Sequence, residues 1–161
     1  MARWLGAPHV QVWWREEHDL AAVEASYGPA VDGVEPIEVF VIEGDGQPIG
    51  MIQRYRLSDH PQWERALAVA ATPADAACID YLIGVETLTG KGLGGEIIGR
   101  LVEDTWELYP DLSAIVVPVQ QANQRSWRAL EKSGFRRTWS GMLDSDDPSD
   151  EGPSYVYVRY R

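Results

Sequence analysis

The run Cys78-Ile79-Asp80-Tyr81-Leu82-Ile83-Gly84-Val85, followed closely by Gly90-Lys91-Gly92-Leu93-Gly94-Gly95, decides the fold. The first segment is apolar at most positions and short, so it reads as a buried strand. The second precedes an amphipathic stretch that runs to about Tyr109 and reads as a helix. Glycines at a strand-to-helix turn let the backbone approach an anion closely, and the free N–H groups of a helix start bind phosphate. Lys91 adds positive charge suited to a pyrophosphate. A tight turn without a ligand uses the same residues, and the spacing is neither a dinucleotide fingerprint nor a P-loop.

Working outward, Pro8 to Arg15 opens a short helix, and His18 to Tyr27 reads as a second one stopped by Pro29 and Gly33. Ile37 to Glu43 and Pro48 to Tyr55 are strands joined at Gly44-Asp45-Gly46. Arg56 to Asp75 is a loop with a short helix over Trp63 to Ala70. Beyond the glycine turn come a strand (Ala114 to Val119), a helix (Gln124 to Ser133) ended by Gly134, and closing strands at Phe135 to Ser140 and Tyr155 to Tyr160. A hairpin first and strand–helix units later predict a mixed α/β sheet.

The chain has 161 residues, 45% of them hydrophobic, which predicts one domain with a substantial core. The net charge of −11 argues against nucleic acid and anionic membrane as partners and favours a cationic one. No apolar run approaches the roughly 20 residues of a membrane helix, and the N-terminus lacks a signal-peptide core. Cys78 is the only cysteine, so no intrachain disulfide forms and a reducing cytoplasm is expected. No Cys/His/Asp cluster has metal spacing, so no metal is expected. Asp144 to Glu151 holds five acids in eight residues and reads as an exposed loop. A strand edge near Tyr155 would support a homodimer, and a monomer fits equally.

Asp80 is an acid inside an apolar strand, which costs free energy unless the carboxylate is solvated or paired. Strand alternation turns Ile79 and Tyr81 to the other face. Lining a cleft, Asp80 would hold a substrate ammonium and take its proton; otherwise it caps a nearby loop.

The glycine turn, together with Asn123-Gln-Arg-Ser126-Trp-Arg-Ala-Leu130-Glu131-Lys132-Ser-Gly134-Phe135, resembles two motifs of the GNAT superfamily of acyl-CoA-dependent N-acyltransferases. Trp4-Leu5, His9-Val10, Trp13-Trp14, Tyr27-x-Pro29, Gly46-x-Pro48-Ile49-Gly50, Gln53-x-Tyr55 and Ile79-Asp80-x-Leu82 resemble its aminoglycoside 6'-N-acetyltransferase branch. The resemblance implies a central, mostly antiparallel twisted sheet with a splayed parallel strand pair, flanked by helices. It implies acetyl-CoA as co-substrate, bound by Lys91, Gly92, Leu93, Gly94, Gly95 and Asn123 and by the backbone of Leu82, Ile83 and Gly84. Leu82 would supply the catalytic oxyanion N–H, and Asp80 the base. Trp14, Tyr27, Glu35, Gln53, Tyr55, Asp80 and Glu151 would line the cleft for a cationic amine. Asn123 also suits a plain helix cap.

The chain departs from the family at Thr89 in the turn and at Leu130, where a tyrosine often protonates the leaving thiolate. Two family acids are absent, at Pro73 and Pro118, and Asp75 is placed to replace the first. The same branch contains acyltransferases of hydroxylysine siderophore precursors. That reaction, and a non-catalytic CoA- or drug-binding module, are the alternatives to aminoglycoside acetylation.

Overall fold

The computed structural model describes residues 1–161. Three N-terminal helices, α1 (Ala2–Leu5), α2 (Pro8–Gln11) and α3 (Leu20–Val31), precede the hairpin β1 (Ile37–Gly44) and β2 (Gln47–Arg56). Then come α4 (Pro61–Leu67), β3 (Ala76–Ile83), α5 (Leu93–Leu108), β4 (Ala114–Gln120), α6 (Gln124–Lys132), β5 (Arg136–Gly141) and β6 (Ser154–Tyr160). No helix is long and apolar enough to cross a membrane.

The strands form one sheet in the order β1-β2-β3-β4-β6-β5, antiparallel except for β3 and β4. This is the mixed sheet expected from the sequence. The parallel pair is short: it holds from Ala76↔Ala114 to Cys78↔Val116 and then ends. β3 nevertheless follows β2 as far as Ile83, and β4 follows β6 as far as Gln120. The two strands therefore splay, each held by its outer neighbour. Pro118, which has no N–H to give a ladder, stands on β4 beyond the last parallel rung, where its loss is tolerated.

Side-chain alternation divides the core. Ala77, Ile79, Ile115 and Val117 pack against Ile98 and Val102 of α5 and Leu130 of α6. On the opposite face Cys78, Tyr55, Val116 and Val158 pack with Leu67 of α4, while Leu82 and Met51 pack with Trp4, Leu5 and Val23. Arg54 is buried beneath α5 and is neutralised by Glu38 and Asp104, so its burial leaves no unpaired charge.

Several local expectations are corrected. α2 ends at Gln11 rather than running to Arg15. α3 passes through Pro29, forgoing one ladder bond, and ends at Val31 with Asp32 as its C-cap, before Gly33 takes φ +70°. The edge strands are β1 and β5; Tyr155 lies on β6, inside the sheet. The Asp144 to Glu151 segment includes a 3-10 turn at Pro148–Asp150 and is tied down, because Ser149 bonds Arg15 and Gln120.

Candidate active site

A cavity of about 910 Å³ opens where β3 and β4 part. Its walls come from both faces of the sheet. One end is made by Thr89, Gly90, Gly92, Gly94 and Gly95, with Arg125, Arg128 and Lys132 of α6 beside them. Gly90 and Gly92 adopt φ of +72° and +91°, a left-handed region that favours glycine. A Cβ at either would meet nothing within 4 Å, so the space above the turn is open. The N-terminus of the 16-residue α5 points its amides there. Open amides, a helix dipole and three basic side chains together suit an anionic group such as a polyphosphate.

The other end is acidic. Glu16, Glu35, Asp59, Asp80, Asp147 and Asp150 line it, with Trp13, Trp14, Tyr55, His60 and Trp63 between them. None of these acids forms an ion pair; the five in the structure involve Glu151, Glu38, Asp104, Asp111 and Glu96. A cavity end with many carboxylates and no counter-ion is electrostatically incomplete, and a cationic ligand completes it.

Asp80 stands at the splay. Burial raises its carboxyl above the ordinary range, while hydrogen bonds from Gln53 and Tyr55 partly lower it and Asp147 raises it again. Gln53 Nε2 donates to Asp80 Oδ2 at 2.9 Å. Asp150 is pushed up to about 6, chiefly by burial, and Asp147 and Asp80 add to the rise against a bond from Ser145. Glu16 is raised by burial despite accepting from the Tyr27 hydroxyl at 3.0 Å.

The main-chain direction of β3 follows from its ladder. Antiparallel bonds join alternate residues, and Gly84 N–H donates to Ile49 C=O at 2.8 Å. The in-register pairing continues as Met51↔Leu82 and Gln53↔Asp80. Gly84, Leu82 and Asp80 thus turn their backbone groups to β2, and Tyr81 and Ile83 turn theirs into the cavity. The bond from Gln121 N–H to Pro153 C=O sets the same phase on β4, leaving Pro118 and Gln120 to face the opening.

Leu82 lines the cavity as expected, but by the ladder phase its amide turns to β2 rather than to the opening, against the expected oxyanion role. The expectation for Gly84 is corrected too: a Cβ there would stand 2.1 Å from the Trp4 ring, so this glycine serves close packing. Ile83 keeps its place, and His9 Nε2 donates to its carbonyl at 2.9 Å. Gly92, Gly94, Gly95 and Asn123 line the cavity, whereas Lys91 and Leu93 stand off the wall. Asn123 also caps α6 by accepting from Ser126 N–H at 3.2 Å. Of the expected cleft residues, Trp14, Glu35, Gln53, Tyr55 and Asp80 converge. Tyr27 lies behind Glu16. Glu151 is exposed, pairs with Arg15 and stays outside, and Asp75 is taken by Ser113. Sequence reasoning missed Glu16, Asp147 and Asp150; the acid-rich loop was the only signal of the last two, and Glu16 had none.

The acetyltransferase (GNAT) domain family matches residues 1–141. The chain belongs to this family. Two curated relatives named aminoglycoside N(6')-acetyltransferase type 1, from Klebsiella pneumoniae and Serratia marcescens, are each 31% identical over 163 residues. Each alignment covers 98% of this chain and 75% of the relative. Among solved structures, aminoglycoside acetyltransferase AAC(6')-Ib with coenzyme A superposes with TM-score 0.82 at 29% identity, covering 99% of this chain and 87% of that one. The same enzyme with coenzyme A and kanamycin gives 0.81 at 29%, with the same coverage. The GNAT fold thus explains the parallel pair and its splay. In this chain the tyrosine of the second GNAT motif is Leu130, fully buried in the core.

Proposed function

We propose that this GNAT protein transfers the acetyl group of acetyl-CoA to a primary amine of an aminoglycoside, the 6'-amino group, and so confers resistance to it. The whole chain acts as one acyltransferase unit, in the cytoplasm where its lone buried thiol stays reduced. The observation that carries the reading is Asp80 at the strand splay, between a glycine turn built for a pyrophosphate and an acidic, aromatic-walled cavity end.

The chemistry follows from the two ends. The diphosphate of the donor sits on the open amides of the turn, near Arg125, Arg128 and Lys132. Its pantetheine arm enters the gap between β3 and β4, where the N–H groups of Tyr81 and Ile83 and the C=O of Tyr81 have no strand partner, the Ile83 carbonyl accepting from His9 instead. The amine approaches from the opposite face. It arrives as an ammonium, is held by the unpaired carboxylates and gives a proton to Asp80, whose carboxyl burial raises and so makes a stronger base than a solvated one. The cavity-facing N–H groups of Tyr81 and Ile83 are placed to steady the thioester oxyanion. Trp13, Trp14 and Trp63 offer faces to sugar rings.

A thiol-release assay with acetyl-CoA against kanamycin, tobramycin and hydroxylysine tests this. Release with the drugs alone supports the proposal. Release with hydroxylysine alone supports the siderophore-type reaction, and no release with tight CoA binding supports a binding module.

A further inference from the structure

Asp80 and Tyr81 are consecutive on β3, so their side chains leave opposite faces of the sheet at the point where it opens. Asp80 projects toward the acidic end. Tyr81 projects toward α5 and α6, the side of the glycine turn, and packs against the core that holds Leu130. Its hydroxyl lies 2.7 Å from Ser126 Oγ in the first turn of α6, and both residues line the cavity. A thioester lying in the gap is therefore flanked by a carboxylate on one face and a phenol on the other. Leu130 is fully buried and has no proton to give, and of the two tyrosines that line the cavity, Tyr55 and Tyr81, only Tyr81 stands on this second face.

Resting on the acetyl transfer proposed above, we infer that Tyr81, positioned by Ser126, protonates the departing CoA thiolate. The amine nitrogen bonds the acetyl carbon. The carbon–sulfur bond then breaks with its electron pair on sulfur. The ammonium has given one proton to Asp80 before attack, and the nitrogen loses its second to solvent as the tetrahedral adduct collapses. Sulfur takes the Tyr81 proton, which half-buried Ser126 restores from solvent. Burial raises the Tyr81 hydroxyl above its ordinary range, which keeps it protonated in the resting site but makes it a weaker acid, and the bond to Ser126 offsets part of that rise.

Tyr81→Phe removes the hydroxyl and keeps the ring. The single-turnover rate with acetyl-CoA and kanamycin is expected to fall about 10²-fold, at the low end for general-acid catalysis because a thiolate leaves readily. KM for both substrates and the melting temperature are expected to hold, and the solvent deuterium isotope effect to drop toward unity. Ser126→Ala, which unties the hydroxyl without disturbing the core, is expected to lower the rate with the same isotopic trend, and it carries the test if Tyr81→Phe fails to fold. An unchanged rate in folded Tyr81→Phe overturns the inference. So does a reduced rate with the isotope effect of the wild type, which marks a packing role. If the wild-type protein releases no thiol with any amine, the acetyl-transfer reading itself has failed.

Discussion

Gln53 and Asp80 face each other across the β2–β3 ladder, and the amide of the first donates to the carboxylate of the second at 2.9 Å. The bond fixes the orientation of an acid that burial would otherwise leave both costly and mobile. Tyr55 adds a second hydrogen bond to the same carboxylate.

Asp80→Asn keeps shape and hydrogen bonding but removes charge and basicity. If Asp80 takes the amine proton, kcat falls by roughly 10²- to 10⁴-fold. If it only holds the ammonium, KM rises with kcat largely kept. Because the carboxyl is raised, its basic form appears later as pH rises, and the acidic limb of kcat/KM should move or vanish in the variant. Wild-type kinetics in Asp80→Asn would return this residue to a structural role.

Gly94→Asp places a carboxylate on the wall where the diphosphate would lie, with its Cβ 3.4 Å from Ala129 Cβ. Acetyl-CoA affinity should drop tenfold or more, about 1.4 kcal/mol. Calorimetric titration of the folded variant measures it, and an unchanged Kd would remove the turn from donor binding.

The acidic end has no internal counter-ion, so its pull on a polyamine is exposed to screening, with a Debye length of about 8 Å at physiological ionic strength. KM for kanamycin should rise from low to high salt. A KM indifferent to salt for every polyamine tested would argue against carboxylate capture.

Asp150 ties pH to stability. Its folded-state carboxyl, at about 6, lies above the ordinary value of 3.8. The folded protein therefore holds this proton more tightly than the unfolded chain. Stability from this group is present below about pH 4 and declines as pH rises toward 6. Asp150→Asn, which can still accept from Ser145, should flatten that decline and raise Tm at pH 8. Thermal melts at pH 5 and pH 8 decide it; a lower Tm for the variant at pH 8 would show that the charged loop is stabilising.

Gly84→Ala should destabilise by about 1–3 kcal/mol, because the added methyl overlaps the buried Trp4 ring and the core must shift. Chemical denaturation measures the loss. A neutral result would mean that α1 moves freely on the sheet.

Much of this molecule was legible along the chain. The glycine turn, the order of strands and helices, and the lone acid at position 80 are local features, since periodicity, turn residues and a charge in an apolar strand act over a few residues. The outer part of the acidic end was not. Glu16 reaches the cavity through a bond from Tyr27, and Asp147 and Asp150 reach it because Arg15 and Gln120 hold Ser149 from more than 25 residues away. An acid-rich loop reads as solvated until such contacts are seen.

The sequence by itself determined that Asp80 and Tyr81 leave opposite faces of β3, because that alternation belongs to any extended chain. Which backbone amides face the opening was decided only by tertiary structure. That depends on the phase of the ladder with β2, set by the bond from Gly84 to Ile49, and on β4 parting from β3 after Val116. A one-residue change of phase would have turned the amide of Leu82 to the opening and those of Tyr81 and Ile83 away from it. Nothing within a single strand specifies that phase, since each edge of a strand carries N–H and C=O groups alike, and only the neighbour that claims one edge leaves the other for a ligand.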